Sequence, residues 1–214
     1  MSHIISYSIA EQRRLLPYLG GELNADQQRI LDIVRSESRA YQAELERQDI
    51  DLGLTISDAL EHLAAGRADA EGEYAGQAYY TALTLLMQSI GSDIIDYTVY
   101  SKPSTFFGLL DDELRRAGVP ADLLPHDYFY AGPPDEIGFS IPTPPWGYPA
   151  IGRWPLAKAK PAADAYRAVL DRVDDSFAYD LNKLIEMLDL EHTVWQDSLD
   201  NDHHIDTLFF YIGG

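Results

Sequence analysis

The chain has 214 residues, 46% of them hydrophobic and 24% charged, so one core could bury roughly 70% of the unfolded surface without covalent staples. It has no Cys, which excludes disulfides, thiol catalysis and thiolate metal sites. A formal charge of −19 disfavours nucleic-acid backbones and anionic lipid, and suits a basic protein partner.

The opening MSHIISYSIAEQRRLLPYL has no cationic leader before a long apolar run, and nowhere do about 18 apolar residues run together. The chain is therefore expected to be soluble and cytoplasmic, with no membrane contact. His3–Ile9 alternates Ile5, Tyr7 and Ile9 with Ile4, Ser6 and Ser8, the period of a short strand. Leu15, Leu16 and Leu19 suggest a brief helix closed by Gly20 and Gly21. Asn24 with Gln27 makes a capping-box pattern ahead of Ile30, Val34, Tyr41 and Leu45, predicting a helix over 25–47 with those residues on its buried stripe. Thr55 with Asp58 starts another helix that carries Ile56, Leu60 and Leu63 to Gly66, with His62 beside that face as a partly buried spacer. Tyr74–Ile90 is apolar or small nearly all round and belongs in the middle of the molecule.

Ile94–Tyr100 is β-branched and aromatic, fitting a strand or a continued helix. Ser104 is placed to cap a helix carrying Phe106, Leu110, Leu114 and Ala117, stopped by Gly118 and Pro120, with Asp111, Asp112 and Glu113 on a solvated outer face. The stretch 124–141 reads as loop with a short strand over Gly138–Ile141. In it His126, Asp127, Tyr128 and Tyr130 sit together, and a His beside an acid and a phenol could serve as a general base. Ile137–Lys160, IGFSIPTPPWGYPAIGRWPLAKAK, is broken by five prolines and reads mostly as pinned loop. Its Trp146, Tyr148 and Trp154 either plug the core or display rings for a ligand, and Arg153, Lys158 and Lys160 make a local cationic spot.

Leu156, Ala159, Ala163, Tyr166, Leu170 and Val173 recur at helical steps, with Pro161 tolerable if the helix proper begins there. Asp174 or Asp175 starts a further helix with Phe177, Leu181, Leu184, Leu188 and Trp195 inward, and Asp206–Ile212 is an apolar closing strand. Between them DSLDNDHHID holds metal-ligand residue types, namely Asp200, Asp202, His203, His204 and Asp206. Adjacent His side chains on an extended chain point opposite ways, so the segment reads as a polar turn and no metal is assigned.

Dinucleotide, P-loop, zinc-protease, esterase and EF-hand motifs are missing from the sequence, so no cofactor is assigned. With no repeat and no break in composition, residues 1–214 are read as a single α+β domain, its helices packed around a small sheet that includes the N- and C-terminal strands. The initial strand with Tyr7, the stretch AIGRWPLAKAKPAADAYRAVLDRVDDSFAYDLNKLIEML and the closing LFFYIG resemble the YfbM-like group of uncharacterised bacterial proteins. That resemblance implies a compact α+β fold and transfers no catalytic residue.

Three functions compete. The leading one is a noncatalytic acidic interaction module, immunity-like, that neutralises a basic partner. The alternative is a small-molecule enzyme or sensor with a pocket of Trp146, Tyr148, Arg153 and Trp154, to which His126 or Tyr130 adds polar contacts. A homo-oligomeric scaffold with an aromatic patch between subunits is the third.

Overall fold

Every side chain from Thr207 to Ile212 is buried, which a strand achieves only when both faces of its sheet are covered. In the computed structural model, which describes residues 2–201 and 204–213, this strand is interior. Strands β1 (His3–Ala10), β2 (Ile95–Tyr100), β3 (Ala150–Pro155) and β4 (Thr207–Gly213) form an antiparallel sheet in the order β2-β1-β4-β3. Alternation assigns the faces. Ile5, Tyr7, Ile9, Leu208, Phe210 and Ile212 enter one apolar cluster, while Ala10, Phe209 and Tyr211 enter another.

Helices α1 (Ala25–Arg47), α2 (Ile56–Ala64) and α3 (Ala75–Ile90) cover the second face. Helices α4 (Pro103–Ala117), α5 (Pro125–Phe129), α6 (Leu156–Arg167) and α7 (Asp175–Asp200) cover the first. The architecture is α+β with the terminal strands paired at its centre. Among the described residues no helix is long and apolar enough to cross a membrane.

Local chemistry explains the helix ends. The Asn24 side chain accepts from the Gln27 N–H at 2.9 Å and the Gln27 side chain accepts from the Asn24 N–H at 2.9 Å, the reciprocal bonds of a capping box. Thr55 accepts from the Asp58 N–H at 3.0 Å to start α2, and His62 within it contacts the Tyr79 hydroxyl at 2.8 Å. Along α1 the inward residues are Leu31, Val34 and Ser38, whereas Tyr41 is exposed, one step off the expected stripe. Ser104 does not cap α4: the helix begins at Pro103, whose missing N–H is no loss in the first turn.

The Pro/Trp stretch departs most from expectation. Residues 137–149 are irregular, and no strand forms over Gly138–Ile141. Ile137, Phe139 and Ile141 instead pack against the core under α1–α3. Beyond them the chain is regular: Ala150–Pro155 is edge strand β3, where Pro155 occupies the last position and costs no interior ladder bond. α6 begins at Leu156, not at Pro161, which lies inside it. The irregular part is held closely to the body. A Cβ on Gly76 of α3 would lie 2.5 Å from the Thr143 carbonyl oxygen, so helix and loop backbones meet there only because the position is glycine.

Both sheet edges are guarded. β2 is paired through a register shift at Ile5/Ser6, and the Lys183 ammonium donates to the Tyr97 carbonyl. On β3 the Ile151 carbonyl accepts from the Gly132 N–H at 2.8 Å. A bulge, a lysine and a covering loop are devices that deter pairing with another chain.

Candidate functional site

The six residues expected to line a pocket do not all converge. Trp154 and Arg153 are neighbours on β3 and therefore point to opposite faces, one paired with Leu208 and the other with Phe209. Trp154 is fully buried under α4–α7, its ring stacked on Tyr128 at 4.3 Å. Arg153, on the other face, donates to the carbonyls of Gly132 at 2.9 Å and Ala131 at 3.4 Å and pairs with Asp135 at 3.3 Å. Its fork is occupied by the turn it braces, which removes it as a receptor for an anion. Lys158 and Lys160 are likewise paired, with Asp122 and with Asp164. Trp146 is 68% exposed and leans on Tyr74, with ring centres 5.4 Å apart.

His126, Tyr130 and Tyr148 do come together, joined by His3, which the sequence reading passed over. The His126 ring stacks on Tyr130 at 4.9 Å, the Tyr130 and Tyr148 hydroxyls lie 3.3 Å apart, and Tyr148 stacks on His3 at 4.0 Å. Burial, with the Tyr148 bond second, pushes the Tyr130 phenol far above its ordinary range, so it stays protonated. Burial lowers the His3 imidazole below its ordinary value, and His3 Nδ1 is buried with no hydrogen-bond partner among the described residues.

His126 also lies between Ser104 and Asp127, in the order of a nucleophile relay. Its Nε2 is 3.4 Å from the Ser104 hydroxyl and its Nδ1 is 3.6 Å from an Asp127 oxygen. The second distance exceeds a hydrogen bond, and the Asp127 side chain is 92% exposed. A largely solvated carboxylate at that range does not orient the imidazole ring. The His126 backbone N–H instead donates to Asp111 at 3.1 Å. Asp111, expected on a solvated face, is buried, and that burial raises its pKa.

The region rich in Asp and His near the C-terminus does not assemble either. Asp202 and His203 lie outside the described residues, and among those described no group of three or more His, Cys, Asp or Glu could hold a metal. Asp206 is engaged elsewhere, accepting from the Gln12 N–H at 2.9 Å and the Thr207 hydroxyl at 2.8 Å where β1 and β4 meet.

Charge is distributed less evenly than the rings. Residues 22–73 carry thirteen acids against five arginines. Four of those arginines are held in ion pairs within the same layer: Arg29 with Asp26, Arg35 with Asp32 and Glu61, Arg47 with Glu44, and Arg67 with Asp69. α7 carries seven acids against one lysine, and that lysine is bound to the Tyr97 carbonyl. Cations are thus consumed locally, while Glu22, Glu37, Glu46, Asp49, Glu71 and Glu73 remain exposed.

Fold and surface together define an α+β protein whose four-stranded antiparallel sheet is covered on both faces by helices, with a strongly acidic exterior. The chain belongs to the family described as a domain of unknown function (DUF7691), whose family model matches residues 1–211. No curated protein and no solved structure matches it.

Proposed function

We propose that this chain is a noncatalytic acidic binding module that acts in the cytoplasm and neutralises a basic protein partner, in the manner of an immunity protein. The surplus of exposed carboxylates over α1–α2 and α7, beside arginines already consumed in local ion pairs, is the observation that carries this reading. Such a field accelerates encounter with a basic surface, while affinity comes from buried anchors. Two copies, each at −19, repel one another, which favours a hetero-partner over a homo-oligomer. Pull-down from native lysate at low and at high salt tests the reading. Proteins of high isoelectric point should be enriched at low salt and lost at high salt; recovery without regard to charge contradicts it.

A second reading, of a small-molecule sensor, draws on the chain of rings His126–Tyr130–Tyr148–His3 and on His3 Nδ1, which has no hydrogen-bond partner among the described residues. A metabolite that raises the melting temperature of the parent protein but not of His3→Ala would favour it. Kinship with the YfbM-like group is also proposed, on the initial strand and the last third of the chain. A member of that group lacking the β2-β1-β4-β3 sheet order would contradict it.

A further inference from the structure

Resting on the acidic-module reading, we propose that the groove between α7 and the start of β2 seats a short basic segment of the partner. Its aliphatic side chains would lie on an apolar floor and its lysines or arginines against an acidic rim. One wall is a single stripe of α7, because Lys183, Leu190, Val194 and Asp197 follow at seven-, four- and three-residue steps. The stripe is tied to the sheet at its start and borders an open cleft beside the sheet at its end. Lys183 reaches the Tyr97 carbonyl, and Val194 and Asp197 line a cleft of about 630 Å³ together with Ile9, Gly91 and Ile205. The facing wall holds Ile95, which pairs with Tyr7 and so projects to the α7 side with it.

These apolar groups are uncovered: Leu190 is 55% exposed, Ile95 44% and Val194 38%. Acids flank them, with Glu186 one turn before Leu190 on α7 and Asp197 and Glu11 at the cleft. Arg14 also lines the cleft. An apolar strip between carboxylates matches bulky aliphatics flanked by cations, the side-chain mode of groove recognition. Addition of a strand at β2 is opposed by the Lys183 bond to the Tyr97 carbonyl, and a second copy of this chain by its like charge.

The test titrates the intact protein with a dye-labelled, end-blocked peptide of Leu-Leu-Lys-Lys repeats, and with a Ser-Ser-Lys-Lys peptide of equal charge. The leucine peptide should bind about tenfold more tightly. Leu190→Lys combined with Val194→Lys, and separately Ile95→Lys on the facing wall, should each weaken it about tenfold, while Ile33→Lys, at an equally exposed apolar site on α1, changes it less than about twofold. Should the α7 variant fail to fold, as its thermal melt would show, the Ile95 variant decides. Groove variants that bind within about twofold of the parent, or that lose no more than Ile33→Lys loses, overturn the groove while leaving the acidic module standing. Failure of both peptides to bind the parent at low salt overturns the module and the groove together.

Discussion

Tyr7 on β1 donates its hydroxyl to the carboxylate of Glu191 on α7 at 3.0 Å, across 184 residues of chain. Glu191 is 3% exposed, and Tyr7 is its one hydrogen-bond donor among the described residues. Burial raises the Glu191 pKa, and the Tyr7 bond lowers it in part.

This pair gives a pH-dependent prediction. Because the folded carboxyl holds its proton to higher pH than the unfolded one, its contribution to stability is greatest below the ordinary carboxylate range and is lost as pH rises through the raised pKa. Glu191→Gln should therefore match the parent at about pH 4 and be the more stable of the two at about pH 7, as read by denaturant unfolding. Tyr7→Phe removes the donor and should cost about 1–3 kcal/mol at neutral pH.

The two tryptophans of the Pro/Trp stretch should separate cleanly. Trp154→Ala empties a fully buried site stacked on Tyr128 and should cost about 3–5 kcal/mol. Trp146→Ala, at a 68% exposed position, should change stability by less than about 0.5 kcal/mol. Urea midpoints at constant slope measure both.

Gly152 faces α5, and a Cβ there would lie 2.6 Å from the Phe129 carbonyl oxygen. Gly152→Ala should displace α5 and cost about 1–3 kcal/mol. Phe129 stacks on Phe107 at 4.0 Å and lies tilted against Phe210 at 4.1 Å, so the near-ultraviolet dichroism of these rings should weaken with the displacement.

Arg153→Ala strips the carbonyls of Ala131 and Gly132 of their donors and should cost about 1–3 kcal/mol, with Arg153→Lys recovering only part because an ammonium cannot reproduce the planar fork. Binding of the leucine–lysine peptide should be unaffected in Arg153→Lys.

Legibility followed how local the determining physics was. α1 could be read from Asn24 and Gln27 because a capping box is written within four residues, and β4 from an unbroken apolar run. β3 was hidden by its prolines: only the sheet order shows that Pro155 ends an edge strand. The fates of Trp146 and Trp154, or of Arg153 and Trp154, depend on which face of that strand each side chain meets, which composition does not encode. Glu191 left a signal that was overlooked. It continues the inward series Leu181, Leu184 and Leu188 by one more three-residue step, so a carboxyl on the buried stripe could have been expected.

The proposed recognition of basic protein by an unneutralised acidic exterior must be electrostatic in origin. Calorimetric titration with the leucine–lysine peptide over a series of sodium chloride concentrations tests it most directly. The predicted result is an association constant that falls steeply as salt rises while the melting temperature of the protein holds. An association constant indifferent to salt, or no heat of binding at the lowest salt, would contradict it.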